Sequence, residues 1–108
     1  MSDPGTLERL EAVIAARRVA NPSTSYVAKL SARGLPKIAQ KVGEEAVETV
    51  IAAMADDRQG LVGEAADLLF HLLVLLAAKD VRLADVLAEL DRREGTSGIA
   101  EKASRKES

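Results

Sequence analysis

The chain is predicted to be all-α, a four- to five-helix bundle-like domain completed by oligomerisation. Aromatic residues are only 2% of its 108 residues, and runs of β-branched residues are short. Alanine, leucine, glutamate and arginine recur at three- and four-residue spacing, the period of a helix face. The segment from Leu68 to Ala78 is apolar on almost every side, more than a lone small bundle covers, which points to a second copy of the chain.

The first helix is expected over residues 6–18, with Leu7, Leu10, Val13 and Ile14 as its apolar stripe. "ANPSTS" ends it, since Pro22 and the small hydroxyl residues suit a loop and supply caps. A short second helix over residues 25–32 ends at Gly34, where a left-handed cap needs no side chain. Pro36 suits the first turn of a third helix over residues 35–55. After the loop "ADDRQG", a fourth helix is expected over residues 61–79 and a fifth over residues 83–93, the latter carrying Val86, Leu87 and Leu90. "GTSGIAEKASRKES" reads as a turn and a charged tail, so residues 1–108 form one domain whose tail, from about residue 96, is partly flexible.

A chain of this length can bury one modest core, which leaves no room for a second catalytic domain. Its formal net charge of -2 gives no general attraction to nucleic acid or to anionic lipid. The absence of cysteine excludes disulfides and a thiolate zinc site. "MSDPGTLERL" has neither the basic start nor the apolar core of a signal peptide. The apolar stretch after Asp67 is interrupted by His71 and ends at Lys79, short of the roughly 20 residues that a membrane span needs. A cytoplasmic protein without membrane or nucleic-acid partners is the expectation.

The acids are the unusual feature. At about 100° per residue, Lys37, Lys41, Glu44, Glu45 and Glu48 share one arc of the third helix, while Ile38, Val42, Ala46, Val50 and Ala53 lie opposite as its expected core face. In the fourth helix Glu64, Asp67 and His71 also share a side. Glu45-x-x-Glu48 and Glu64-x-x-Asp67 thus sit on helices joined by a connection short enough to make them antiparallel neighbours. Converging carboxylates raise one another's pKa and destabilise a fold unless a cation lies among them. An all-oxygen set suits Mg²⁺, with Mn²⁺ as a substitute.

The plainer alternative is a solvated charged face with pairs such as Lys41 to Glu45, which is what most charge runs on helices are. Two features weigh against it. Glu44 and Glu48 are like charges four residues apart, an unfavourable pair, and Glu64 and Asp67 open a helix that otherwise wants burial. His71 reads more readily as a hydrogen-bonded core residue than as a ligand. A di-iron carboxylate bundle would need Glu-x-x-His on two helices, and the chain has a single histidine. Lys37 and Lys41 are candidates for holding phosphate.

"KVGEEAVE", "GEAADLLFHLLVLL" and "SGIAEKASR", with "SYVAKL" and "ADVLAELDRR", resemble the phosphoribosyl-ATP pyrophosphatase family of histidine biosynthesis, over nearly the whole chain. The paired acidic motifs alone would indicate only the wider all-α nucleoside triphosphate pyrophosphohydrolase superfamily. The resemblance implies hydrolysis of the α–β phosphoanhydride of 1-(5-phosphoribosyl)-ATP, with Mg²⁺ required. It also implies Glu45, Glu48, Glu64 and Asp67 as metal ligands, Glu44 as a further ligand or base, and Lys41 as a phosphate contact. Phe70 stands where the family often has tyrosine, and the lack of cysteine matches the stand-alone form rather than one fused to a cyclohydrolase. The partners expected are a small nucleotide substrate and a second copy in a homodimer. Two rivals remain at this point: a house-cleaning pyrophosphohydrolase acting on another nucleotide, and a non-catalytic helical oligomerisation module. The roles of His71, Ser97, Glu101, Lys102 and Arg105 stay open.

Overall fold

Local hydrogen bonding sets where each helix starts and stops. In the computed structural model, which describes residues 5–95 and residue 102, the order is α1 (Thr6–Arg17), α2 (Tyr26–Arg33), α3 (Leu35–Met54), α4 (Arg58–Ala78) and α5 (Leu83–Glu94). No strand occurs among the described residues, as an all-α chain requires. After α1, Asn21 organises the loop: its side-chain oxygen accepts from the backbone N–H and the hydroxyl of Ser23, both at 2.9 Å. Ser25 then caps α2, its hydroxyl accepting from the Ala28 N–H at 3.1 Å. Gly34 ends α2 with φ of 95°, a region that side chains disfavour, and Pro36 lies in the first turn of α3.

The fourth helix begins at Arg58 rather than residue 61. Asp57 caps it by accepting from the Gly60 N–H at 2.9 Å, which draws "RQG" out of the expected loop and into the first turn. The longer helix corrects a second expectation. At 21 residues, with a most apolar window of mean hydropathy 1.9, α4 is long and apolar enough to cross a membrane by length and composition alone. Composition does not distinguish such a helix from one that packs inside an assembly, and α4 carries Glu64 and Asp67 within its length.

α3 and α4 form an antiparallel hairpin through the short turn at residues 55–57, and theirs is the most extensive helix pairing among the described residues. α1 packs across α4, and Ile14 and Val74 are the largest side chains fully enclosed. α1 also ties off two neighbouring helix ends. The Arg18 guanidinium donates to the Ala77 carbonyl at 2.9 Å, and the Glu11 carboxylate accepts from the Leu83 N–H at 2.8 Å. Of the stripe expected on α1, Leu7, Leu10 and Ile14 face the core, whereas Val13 is largely outside it. On α5, Leu83 is buried and Leu87 packs on the core, while Leu90 is exposed.

The expected core face of α3 is displaced. Its buried residues are Ile38, Glu45 and Ala52, seven apart, the repeat that keeps one seam against a neighbouring helix. Val42 and Ala46 flank that seam half-buried, but Val50 is 59% exposed and Ala53 is exposed as well. Hydrophobicity within a single helix had assigned its inner side to the valines. Pairing with α4 turns Glu45 inward instead and leaves Val47, Val50, Ile51 and Met54 outside.

Candidate metal and phosphate site

Because the α3 seam turns toward α4, Glu45, Glu48 and Glu64 converge. Each offers a carboxylate oxygen, and these oxygens lie within 4.8 Å of one another. Glu45 is buried at 7% exposure, Glu64 is half-buried and Glu48 is open to solvent. Lys41 offsets part of this charge, its ammonium lying 3.9 Å from one Glu45 oxygen. Among the described residues nothing reaches the other Glu45 oxygen, Oε1, or Glu64 Oε1, although both atoms are buried. A buried acceptor without a donor is costly, and a proton, a water molecule or a cation satisfies it; a cation is the one of these that also offsets the charge of three converging carboxylates. The donor set is all oxygen, which fits Mg²⁺ or Mn²⁺. The Glu64 carboxyl registers the crowding. Loss of hydration, and then hydrogen bonding and repulsion from Glu45 and Glu48, push its pKa up to about 7.

The other expected site residues stand around this cluster rather than in it. Asp67 lies one turn along α4 from Glu64 with its carboxylate exposed, outside the converging group. Glu44 faces away, accepting from the Gln40 amide at 2.7 Å and pairing with Lys41 at 3.3 Å. Those contacts, that of Gln40 foremost, hold its carboxyl below the usual range. Lys41 therefore sits between the two acids of α3, and Lys37 is one turn nearer the helix start.

His71 is a structural residue by its contacts. Its Nδ1 is 2.8 Å from the Asp67 carbonyl, which can only accept, so Nδ1 carries the proton. Nε2 then accepts from the Tyr26 hydroxyl at 2.8 Å, and neither ring nitrogen is left for a metal. Phe70 packs edge-on against the same imidazole, with ring centroids 5.2 Å apart. Of the tail, Ser97, Glu101 and Arg105 lie outside the described residues, and Lys102 is helical and exposed.

One group was missed from sequence. Tyr26, Lys29 and Arg33 of α2 line a cavity of about 160 Å³ together with Leu30, Lys37 and Lys41. Tyr26 is also close enough to feel the site: burial chiefly raises the pKa of its phenol, and the charges of Lys41, Glu45 and Asp67 act on it too. The signal was available in the spacing, because residues 26, 29 and 33 fall on one face of a helix.

Residues 7–94 match the phosphoribosyl-ATP pyrophosphohydrolase family. The chain is 77% identical over 101 residues to a phosphoribosyl-ATP pyrophosphatase of Rhizorhabdus wittichii, covering 94% of this chain and 95% of that one. It is 77% identical to the phosphoribosyl-ATP pyrophosphatase of Novosphingobium aromaticivorans, with 92% of each chain covered. To that of Parvibaculum lavamentivorans it is 59% identical, over 98% of this chain and 97% of the relative. An all-α chain with convergent acids on two antiparallel helices, matched along nearly its full length, belongs to the phosphoribosyl-ATP pyrophosphohydrolase family.

Proposed function

We propose that this chain hydrolyses 1-(5-phosphoribosyl)-ATP to 1-(5-phosphoribosyl)-AMP and pyrophosphate, the second step of histidine biosynthesis, at the α3–α4 seam. The observation that carries the assignment to this seam is the convergence of Glu45, Glu48 and Glu64, two of which, Glu45 and Glu64, each keep a buried oxygen without a partner among the described residues. Glu45, Glu48 and Glu64 would hold Mg²⁺ there, or Mn²⁺ in its place, with Asp67, one turn along α4 from Glu64, as the fourth ligand. Bound metal supplies charge neutralisation on the phosphate oxygens as the phosphoanhydride breaks.

The chain's own groups do the rest by position. Glu48, at the solvent edge of the cluster, orients a water molecule and takes its proton as the water oxygen bonds to phosphorus and the bridging oxygen leaves with pyrophosphate. Glu44, already fixed by Gln40, holds Lys41 at the cluster, so that Lys41 presents positive charge to the phosphates beside it.

The assembly is a homodimer in the cytoplasm. Its support is the uncovered face of Val47, Val50, Ile51 and Met54, which continues into a shallow depression of about 580 Å³ bordered by Glu44 and Glu48. A second copy seated there would exclude water from one side of the acids. The test is pyrophosphate release from phosphoribosyl-ATP with and without Mg²⁺, using ATP as the control nucleotide. Rapid Mg²⁺-dependent release from phosphoribosyl-ATP is expected. Equal release from ATP would move the chain to another substrate, and no release from either would refute the assignment.

A further inference from the structure

We propose that the cleft between α2 and α3 lined by Lys29, Arg33, Lys37 and Lys41 is a metal-free subsite for a phosphomonoester, which takes the ribose 5-phosphate end of the substrate. The inference rests on the hydrolase reading above, which supplies a substrate with anionic groups at two ends.

Three observations favour this end of the substrate over the triphosphate. First, no acid lines the cleft, so nothing there would hold a cation, whereas the carboxylate cluster has unpartnered oxygens for one. A triphosphate chelated at the cluster has its charge met by metal. A phosphomonoester that is not chelated by the metal is largely a dianion at neutral pH and needs fixed protein cations. Second, Lys29 and Arg33 make no ion pair or side-chain hydrogen bond with any described residue, so neither is already neutralised. Arg33 offers a planar fork to a phosphate and Lys29 a point charge. Third, at about 160 Å³ the cleft admits a phosphate group but is smaller than the roughly 300 Å³ of pockets that enclose a whole small molecule. Lys41 joins the two regions, lining the cleft while lying 3.9 Å from Glu45.

The two ends of one substrate would then be read by different chemistry: one by acids through a cation, the other by bases directly. The experiment compares the wild-type protein with Lys29→Ala/Arg33→Ala and with Arg33→Lys. Both side chains are exposed, so all three should fold alike, which circular dichroism checks. In the double variant the KM for phosphoribosyl-ATP should rise by about tenfold or more with kcat retained, as expected for loss of charge-assisted hydrogen bonds used equally in ground and transition states. Arg33→Lys should recover part of that loss. Ribose 5-phosphate should bind the wild type in calorimetry and inhibit competitively, and both effects should vanish in the double variant. Inhibition by pyrophosphate should be unchanged.

An unchanged KM, or weakened pyrophosphate inhibition with ribose 5-phosphate unaffected, would overturn the proposal and give the cleft to the leaving end or to solvent. A wild type that releases no pyrophosphate would refute the hydrolase reading instead. Even then, ribose 5-phosphate binding lost in the double variant would uphold the phosphomonoester site, and no binding by the wild type would overturn it.

Discussion

On α3 the row Ile38, Glu45 and Ala52 is turned toward α4, while Val47, Val50, Ile51 and Met54 lie outside, Met54 at 82% exposure. A small monomer built for stability alone would reverse those two faces, since burying an acid costs far more than exposing a valine. The contrast teaches that stability of the single chain is not what sets either face of this helix. On the proposed reading, a cation accounts for an acid drawn into the helix seam, and a second copy accounts for apolar surface left outside it. Neither a cation nor a second copy belongs to one chain, so both parts of this reading are open to separate tests.

The largest effect should come from the inner face. Glu45→Gln removes a buried ligand while keeping its shape, and Mg²⁺-dependent turnover of phosphoribosyl-ATP is expected to fall by about a hundredfold or more, with helical circular dichroism retained. Activity within a few-fold of wild type would break the contrast, because the buried acid would then be structural.

The outer face should respond next, and in assembly. Ile51→Lys places a charge on the uncovered apolar surface, and size-exclusion chromatography with light scattering should show a shift from dimer to monomer. An unchanged mass would mean that this face is not the interface.

The inner face also predicts an unusual pH dependence. The Glu64 carboxyl has a folded-state pKa of about 7 against an ordinary 4.5, so folding favours its neutral form. That contribution is fully present below about 4.5 and is lost as pH rises through about 7. Without divalent metal, the melting temperature should therefore decline between pH 5 and pH 8 in wild type and decline less in Glu64→Gln. Parallel curves would show that the carboxylates do not interact.

The smallest effect separates the histidine from the acids. His71 has both ring nitrogens satisfied inside the chain, unlike Glu45 and Glu64. Tyr26→Phe removes the donor to Nε2 and should cost about 1 kcal/mol of stability by denaturant titration. Metal binding should be unaffected; a lower affinity would place His71 within the metal site.

Much of this was legible in the sequence, because helices are specified locally. Ser25, Gly34 and Pro36 mark real boundaries, and the spacing of Glu45, Glu48 and Glu64 does bring those acids together. What failed was non-local. Asp57 could have been a loop acid or a cap, and only the Gly60 contact decides it. The inner face of α3 depended on how α4 pairs with it, and no pattern within α3 could override the pull of its valines. Lys29 and Arg33 were passed over because basic residues on a short helix usually face only water. Their meaning comes from Lys37 and Lys41 across the cleft.

The central claim is that the acids of the seam converge to hold a divalent cation. Mn²⁺ uptake at pH 8, followed by the loss of its free-ion electron paramagnetic resonance signal, tests this most directly. Saturable uptake by wild type that is lost in Glu64→Gln is the predicted result. Equal uptake by both proteins, or none by wild type, would contradict the account.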